Sequence, residues 1–384
     1  MDPSAGVSRN MTVSKELWRQ IRLEMKEVIQ SYSKVLLIPV VISFFLLMVF
    51  FWRRYLRWTV KCQSSRQLNG KTVIITGASS GLGKSTAYDL AKRGAKVILA
   101  CRNLKKAEAV ARAIRMKTHN EDVYASYIDL GSLRTVKEFV QDFQAKEPKL
   151  DILINNAAYM GPRAATEDGY ERTFGVNYLG HFYLTYLLKD KLKKCAPSRI
   201  VNVCSDSYTK GKLEFEDLSM KNYDIYGAYA RSKLAIAQFT VEAHRCWFPD
   251  VVLCYAVHPG CVHTELLRNW PGLFGQVLRA AARFLFKTPE EGCQTIVYCA
   301  VAEGIRDQSG KMFENCKPLK TKDFVKDKAK GRQLWNKSLR LCDLDEEPDV
   351  SDDEPTPEVN TTTANGGEQG ETQNQTSMEE KKER

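Results

Sequence analysis

A tyrosine and a lysine four residues apart carry the most specific chemistry in this chain. Tyr229 and Lys233 lie in AYARSKLAIAQFTVEA, whose pattern predicts a helix, so the two side chains share one helix face. A nearby ammonium group stabilises a phenolate and lowers the pKa of the tyrosine toward the range of an acid–base catalyst. The same spacing occurs in two further pairs, Tyr88 with Lys92 and Tyr208 with Lys212. The surroundings must therefore distinguish the three pairs.

The glycine-rich stretch TGASSGLGKS (76–85) predicts a phosphate-binding turn of one of two kinds. Its Gly-Lys-Ser ending is typical of a P-loop, which has four residues between its first glycine and the Gly-Lys pair. Five residues separate Gly77 from Gly83 here, which disfavours an NTPase. The pattern Thr-Gly-x-x-x-Gly-x-Gly fits Thr76, Gly77, Gly81 and Gly83 directly, between a predicted strand and a predicted helix. This turn is typical of a site that seats the pyrophosphate of a dinucleotide at a helix N-terminus.

The end of the next predicted strand indicates which dinucleotide binds. An NAD site usually has a carboxylate there to bind the ribose 2′-hydroxyl. This chain has Arg102, followed by Lys105 and Lys106, with no acidic residue from Leu99 to Lys106. A guanidinium group binds the 2′-phosphate of NADP through charge-assisted hydrogen bonds. The sequence therefore predicts NADP(H), although a solvated basic turn would have the same composition.

The elements that position these residues alternate between strand and helix from Gly70 to about Leu344. The β-rich runs are TVIIT (72–76), KVILA (96–100), VYASYI (123–128), DILI (151–154), RIVNV (199–203) and VVLCYAV (251–257). They are nearly continuous in apolar residues, as strands covered on both faces must be. The pattern predicts an α/β fold, a single Rossmann-type domain with a doubly wound parallel sheet. Such sheets bind ligands beyond the carboxyl ends of their strands.

Several motifs follow one another in a recognisable order. They are Thr76-Gly77 through Gly83, Asn155-Asn156-Ala157, Asn177 in VNYLGHF, Ser205 after RIVNVC, Tyr229 with Lys233, and Pro259-Gly260 in AVHPG. Together they resemble the classical short-chain dehydrogenase/reductases over about Gly70 to Lys317. LACRN, NYLGHF, AVHPG and KTPEEGCQTIVYCA are similar to the retinol dehydrogenase-like branch, whose members are commonly membrane-anchored and NADP-linked. The chain departs from the family pattern at Ala158, where Gly is usual, and at Cys204, which replaces a frequent Ser and is expected to be a packed neighbour of Ser205.

The resemblance implies a role for each motif. Tyr229 exchanges a proton with the oxygen of the substrate, Ser205 orients that oxygen, Lys233 binds the ribose and tunes Tyr229, and Asn177 positions a water in the proton relay. The expected catalytic set is Asn177, Ser205, Tyr229 and Lys233. The expected cofactor contacts are Thr76, Gly77, Ser79, Gly81, Leu82, Gly83, Arg102, Asp129 (at the adenine), Asn156, Tyr229, Lys233, Pro259, Gly260, and Val262 and Thr264 (on the nicotinamide side). No metal site is expected.

The segment ELLRNWPGLFGQVLRAAARFLFK (265–287) falls where this family has its substrate lid. It is rich in apolar residues, namely Leu266, Leu267, Trp270, Leu273, Phe274, Val277 and Leu278, with Arg268, Arg279 and Arg283 among them. An apolar pocket wall near a membrane suits a lipophilic alcohol, aldehyde or ketone, such as a retinoid, a steroid or a lipid aldehyde. Ordinary core packing would have the same composition.

The run VLLIPVVISFFLLMVFFW (35–52) contains no charged residue and is just long enough to cross a hydrocarbon core of ~30 Å. Basic residues flank it on both sides, with a slight excess after it, which favours a cytosolic C-terminal body. The sequon at Asn10 would then be lumenal. Before the run, Leu17, Ile21, Met25, Val28 and Tyr32 recur at helical spacing and predict an amphipathic helix on the membrane or against a partner.

Charge and cysteine usage exclude several classes of protein. The formal net charge is +11, yet the tail from Asp345 is strongly acidic and almost free of apolar residues, so it is predicted to be disordered. No aromatic–basic RNA-binding motif or Cys/His finger accompanies the basic body, so nucleic acid is not an expected partner. The 11 cysteines form no C-x-x-C pair and are expected to be free thiols in a reducing compartment.

These features predict a membrane-anchored, NADP(H)-dependent oxidoreductase in the endoplasmic reticulum, with a cytosolic catalytic domain that favours reduction. The predicted order is an N-terminal segment with an amphipathic helix (1–34), a transmembrane anchor (35–52), a basic linker (53–69), the NADP-binding domain (70–344) and a disordered acidic tail (345–384). A homodimer and partners of the acidic tail are left open. The alternative is a catalytically weak, cofactor-binding scaffold that recruits partners at a membrane.

Overall fold

The structure, a computed structural model, describes residues 4–217, 220–270 and 272–345. Within these ranges, the structure does not describe the side chains of residues 4–15, 17, 33–36, 38, 56, 274 and 278. The predicted acidic tail lies outside the described residues except for Asp345.

The described residues form eight strands and eleven α-helices, joined in part by short 3-10 turns. The strands are β1 (Thr72–Thr76), β2 (Lys96–Cys101), β3 (Val123–Tyr127), β4 (Ile152–Asn155), β5 (Ser198–Val203), β6 (Val252–His258), β7 (Met312–Glu314) and β8 (Lys317–Leu319). The helices are α1 (Ser4–Leu56), α2 (Gly81–Lys92), α3 (Leu104–Thr118), α4 (Leu133–Lys146), α5 (Arg172–Phe174), α6 (Gly180–Lys194), α7 (Ile225–Trp247), α8 (Gly272–Leu285), α9 (Pro289–Gly292), α10 (Gln294–Val301) and α11 (Lys328–Leu341).

The strands form one sheet in the order β3-β2-β1-β4-β5-β6-β7-β8. All neighbouring pairs are parallel except β7 and β8, which are antiparallel. The strand order reverses between β1 and β4, and this reversal creates the crevice in which doubly wound sheets bind their ligands. The predicted Rossmann-type sheet is therefore confirmed.

Helices cover both faces of the sheet, so the core has two halves. One half is rich in aromatic side chains from α6, α7 and α11, with Trp247 and Trp335 at a centroid distance of 5.3 Å and both fully buried. The other half packs small aliphatic side chains of α2, α3 and α10, such as Ala87, Val110 and Val297, on the sheet. Burial on both sides explains why the central strands are apolar along their whole length.

Helix α1 joins the predicted amphipathic segment and the predicted anchor in one element of 53 residues. The side chains of Val35, Leu36 and Ile38, which belong to the predicted anchor, lie outside the described ones. Across the described parts of the chain, no helix combines the length and the apolar character needed to cross a bilayer. The anchor at 35–52 therefore stays a prediction.

Candidate active site

A cleft of about 1340 Å³ opens beyond the carboxyl ends of the central strands. Most of the predicted site residues line it: Gly77, Ser79, Gly81, Leu82, Arg102, Asp129, Asn156, Ser205, Tyr229, Lys233, Pro259, Gly260, Val262 and Thr264. Thr76, Gly83 and Asn177 do not line it. Of the three tyrosine–lysine pairs, only Tyr229 with Lys233 belongs to the cleft. The fold thus brings together motifs that are up to 187 residues apart in the sequence, from Gly77 to Thr264.

The glycine-rich turn requires glycine for two different reasons. Gly77 has φ +65°, and a Cβ there would lie 2.9 Å from the Cα of Ala157. Gly83 stands in the first turn of α2, where a Cβ would lie 2.5 Å from Nδ2 of Asn156 and 2.7 Å from the carbonyl oxygen of Gly77. The first position needs a left-handed backbone and the second needs space, so a side chain at either would displace the loop that follows β4.

Thr76 holds the turn and that loop together. Its hydroxyl oxygen accepts hydrogen bonds from the backbone N–H groups of Asn156 (2.8 Å) and Ala157 (3.0 Å). The Asn156 side-chain amide donates to the carbonyl oxygen of Thr76 at 2.8 Å. These hydrogen bonds align the two loops that border the cleft. The Thr76 side chain itself is fully buried, so it is not available for contact with a ligand.

His181 is a site residue that the sequence reasoning missed. Its Nε2 lies 2.8 Å from the hydroxyl of Thr76, and its Nδ1 lies 2.8 Å from the carbonyl oxygen of Asn177. A carbonyl oxygen can only accept, so Nδ1 carries the proton and Nε2 accepts from Thr76. Burial lowers the pKa of His181 to about 4, which keeps the ring neutral. The only available signal was its position in VNYLGHF, four residues after Asn177.

Because His181 is buried in its neutral form, we expect acid to destabilise the fold. In the unfolded chain the ring takes up a proton near pH 6.5, whereas in the folded protein its pKa is about 4. Between these values the unfolded state binds more protons, so the free energy of unfolding decreases as the pH falls, by up to about 3 kcal/mol from this residue. We expect His181→Gln to show a weaker acid dependence in urea unfolding.

The matched control for this acid dependence is His119→Asn. His119 is an exposed histidine with φ 56° at the end of α3, a backbone conformation that asparagine tolerates. The control should keep the acid dependence of the parent protein. Equal slopes of unfolding free energy against pH in the His181 variant and the parent would contradict the assignment.

Asn177 lies in a π-helical turn, Gly175–Leu179, between α5 and α6. Its side-chain oxygen accepts from the backbone N–H of Tyr159 at 2.6 Å, and its side-chain nitrogen donates to the Tyr159 carbonyl and to the Ser232 hydroxyl, both at 3.0 Å. The residue is fully buried and ties the loop after β4 to α7. Its predicted contact with a water of a proton relay stays a prediction.

Ser205, Tyr229 and Lys233 form the polar cluster of the cleft. Ser205 follows β5, and its side chain lines the cleft together with the phenol of Tyr229 on α7, whose pKa it lowers. One turn further along α7, Nζ of Lys233 donates to the carbonyl oxygen of Val203 at 2.8 Å and lies 5.4 Å from the centroid of the Tyr229 ring. The phenol and the ammonium group therefore lie on one side of α7, as the i, i+4 spacing predicts, and the Ser205 hydroxyl joins them from the end of β5.

Burial dominates the electrostatics of this cluster. It raises the pKa of Tyr229, against the opposing effect of the neighbouring Ser205 side chain, and it lowers the pKa of Lys233 to about 8. The spacing argument predicts the opposite direction for Tyr229, because it considers the ammonium group and leaves out desolvation of the phenolate. Tyr229 is consequently a protonated phenol, which suits the donation of a proton to a carbonyl oxygen.

Neither departure from the family pattern disturbs the cluster. Ala158 lines the cleft without a positive φ, so no glycine is required at this position. Cys204 is buried, and its thiol lies 3.3 Å from the carbonyl oxygen of Lys233. Burial raises the pKa of Cys204 to about 11, so the thiol behaves as the packed neighbour that the sequence predicts.

The basic residues after β2 have different surroundings. Arg102 is 58 % exposed, and its guanidinium lies 3.9 Å from the carboxylate of Asp129. Lys106 forms an ion pair at 2.6 Å with Glu265, which belongs to the lid segment. Arg102 therefore keeps most of its hydrogen-bonding capacity for a phosphate group, while Lys106 is already paired with a carboxylate.

The lid segment divides into a part that faces the cleft and a part that does not. The cleft wall includes Leu266 and Leu267 from a short 3-10 turn (Glu265–Asn269), Trp270 directly after this turn, and Phe286 after α8. Leu273 and Val277 of α8 are instead exposed to solvent. The side chains of Phe274 and Leu278 lie outside the described ones. The predicted apolar wall therefore consists mainly of the residues before and after α8.

Comparison with known proteins identifies the family. Residues 71–271 match the sequence profile of short chain dehydrogenases. Retinol dehydrogenase 13 from Mus musculus is 46% identical over 291 residues, a match that covers 74% of this chain and 87% of the relative. Retinol dehydrogenase 12 from Homo sapiens is 44% identical over 285 residues, which covers 74% of this chain and 90% of the relative.

Solved structures have the same fold. An uncharacterized protein from Mycobacterium paratuberculosis is 30% identical, with a TM-score of 0.60, and the match covers 76% of this chain and 100% of that chain. A protein from Beutenbergia cavernae, described as an NAD(P)-dependent gluconate 5-dehydrogenase with bound NADP, is 25% identical, with a TM-score of 0.53 and coverage of 65% and 96%. Together with the matched sequences, these structures show that the chain belongs to the short-chain dehydrogenase/reductase family of oxidoreductases, in its retinol dehydrogenase-like branch.

Proposed function

We propose that this protein is a membrane-anchored, NADP(H)-dependent oxidoreductase that reduces a lipophilic aldehyde or ketone to its alcohol. The observation that carries the proposal is the convergence of Ser205, Tyr229 and Lys233 in the same cleft as the exposed guanidinium of Arg102. A phenol, a hydroxyl and an ammonium group serve proton transfer to a carbonyl oxygen, and a guanidinium serves recognition of a phosphate.

The cleft fits a phosphorylated dinucleotide. The side chain of Ser80 does not cap the start of α2, so the first backbone N–H groups of this helix are available to a pyrophosphate, and the turn has no room for side chains at Gly77 and Gly83. Arg102 would bind the 2′-phosphate, Asp129 the adenine, and Lys233 the ribose hydroxyls. When bound, the nicotinamide ring supplies the hydride for the reaction.

The residues of this chain perform the proton chemistry. The Ser205 hydroxyl hydrogen-bonds the carbonyl oxygen of the substrate and orients it toward the phenol of Tyr229. Tyr229 donates its proton to this oxygen as negative charge develops there. The ammonium group of Lys233, 5.4 Å from the Tyr229 ring centroid, then stabilises the phenolate that remains.

The cleft wall indicates the class of substrate. Leu266, Leu267, Trp270 and Phe286 line it on the lid side, so it favours an apolar carbonyl compound such as a retinoid, a steroid or a lipid aldehyde. The names of the related retinol dehydrogenases support a retinoid within this class.

Membrane attachment would depend on the C-terminal half of α1. Its described apolar side chains, including Phe44, Phe45 and Phe51, are exposed, and arginines follow them. Basic residues after an anchor favour a cytosolic C-terminal body. In our proposal the membrane is that of the endoplasmic reticulum, and the abundant NADPH of the cytosol would favour reduction. Glycosylation of Asn10 in intact vesicles would support this orientation, and protection of the body from added protease would contradict it.

A carbonyl panel tests the function. The purified full chain is incubated with retinal, a steroid ketone and a long-chain aldehyde, with NADPH and NADH side by side. We expect oxidation of NADPH with at least one of these carbonyls and much slower oxidation of NADH. Tight binding of NADPH without turnover on the whole panel would contradict an enzyme and favour a cofactor-binding scaffold.

A further inference from the structure

Helix α8 turns an apolar face toward solvent. Leu273, Val277 and Phe284 are 75%, 60% and 53% exposed and recur at helical spacing, with the exposed Ala280 and Ala281 between them. The opposite side of the helix is buried through small residues, Gly275 and Ala282. A surface helix of a soluble domain normally has the reverse arrangement, with its polar side outward. We name the exposed stripe of Leu273, Val277 and Phe284 the α8 face.

The α8 face is continuous with the end of α1. The guanidinium of Arg53 lies 4.7 Å from the ring centroid of Phe284, so the two helices meet at this point. Three aromatic side chains at and after the end of α1 are exposed, namely Trp52, Tyr55 and Trp58. Arg54 and Arg283 add exposed positive charge around them. Amphipathic aromatic rings, arginines and an apolar stripe are the combination found where a protein meets the headgroup region of a bilayer.

We propose that the α8 face, together with the aromatic end of α1, inserts into the interfacial layer of an anionic lipid bilayer. The alternative occupant is a second copy of this chain. A two-fold contact would bring the like-charged Arg53 and Arg283 of two copies together, which is unfavourable. Anionic headgroups would instead neutralise these arginines while the acyl boundary covers the apolar stripe.

This placement also gives the lid segment a direct route to the bilayer, a consequence that rests on the proposed function. Trp270 lies two positions before the first residue of α8 and Phe286 directly follows its last residue, and both line the cleft. A lipophilic carbonyl dissolved in the bilayer would therefore reach the cleft between two side chains that flank the membrane-bound helix, without crossing water.

Photo-crosslinking tests the surface independently of catalysis. The full chain carries p-benzoylphenylalanine at Val277, or at Met116 as a control, which is 78% exposed on α3. Both proteins are reconstituted in vesicles of phosphatidylcholine and phosphatidylserine. We expect a lipid adduct at position 277 and none at position 116. A covalent dimer from position 277 would make the α8 face an interface between copies, and the absence of any adduct would make it a solvent face; either result overturns the proposal.

The route of the substrate has its own test. In the same vesicles we expect the double variant Leu273→Asp, Val277→Asp to raise KM for a bilayer-soluble carbonyl by about tenfold, because two exposed apolar side chains that the bilayer would cover are replaced by carboxylates. KM for a short, water-soluble aldehyde and both kcat values should stay unchanged. An equal rise of KM for both substrates would overturn the route. Inactivity of the parent protein on every carbonyl would instead contradict the proposed function and leave the crosslinking result standing.

Discussion

Tyr229→Phe lowers kcat for carbonyl reduction by about 10²- to 10⁴-fold, the range that a positioned general acid contributes. The variant loses only a phenolic hydroxyl, which shares the cleft with the Ser205 hydroxyl. Because burial raises the pKa of Tyr229, this hydroxyl holds its proton at neutral pH and would be the proton donor in the proposed reduction. Affinity for NADPH, measured by fluorescence titration, should change little, since the ammonium group of Lys233 and the arginine at 102 remain.

Tyr226→Phe is the matched control for this substitution. Tyr226 lies one turn earlier on α7, is half exposed and lines the same cleft. Its variant also loses one phenolic hydroxyl but removes none from the cluster with Ser205 and Lys233, so kcat should stay close to that of the parent. Equal turnover by the Tyr229 variant and the parent would show that the proton comes from another group.

The sheet could be predicted from the sequence because its strands are buried on both faces. The six predicted strands are confirmed, with ends that differ by at most one residue from the observed ones. Strands β7 and β8 were not predicted, since each has only three residues and neither has a run of apolar side chains long enough to stand out. The motifs at the strand ends, which begin at Gly77, Asn156, Cys204 and Pro259, could be predicted for the same reason, because each directly follows a recognisable apolar run.

Burial and side-chain direction could not be predicted from spacing. His181 is the clearest example, since a histidine among apolar residues of a helix is most often an ordinary core residue. Its importance arises from contacts with Thr76, which is 105 residues away in the chain. The direction of the pKa shift of Tyr229 has the same origin, because the desolvation that dominates it depends on all the elements packed around the phenol.

The orientation of helix α8 could not be predicted from its sequence. Its sequence is amphipathic, and periodicity places Leu273 and Val277 on one side of the helix. From the sequence, these apolar residues were expected in a pocket wall or in ordinary core packing, whereas the structure turns Leu273 and Val277 toward solvent. Periodicity defines the two sides of a helix but does not tell which of them faces the core.

Arg102→Ala lowers the preference for NADPH over NADH, measured as the ratio of the kcat/KM values, by about 10- to 100-fold. The arginine is 58% exposed at the end of β2, and its distance of 3.9 Å from Asp129 leaves its N–H groups available to a 2′-phosphate. Hydrogen bonds to a charged group are worth about 1.5–3 kcal/mol, which corresponds to this change in the ratio. The kcat/KM for NADH should stay unchanged, because NADH has no phosphate at this position.

Arg112→Ala is the matched control, since Arg112 is an exposed arginine on the helix that follows Arg102 and does not line the cleft. It should leave the cofactor preference unchanged. Lys106→Ala should have a smaller effect than Arg102→Ala, because the ammonium group of Lys106 is 2.6 Å from the carboxylate of Glu265 and must leave this ion pair to reach a phosphate. If Arg102→Ala lowered kcat/KM equally for both cofactors, Arg102 would serve the shared part of the dinucleotide, and the choice of NADP(H) would have to depend on other residues of the cleft.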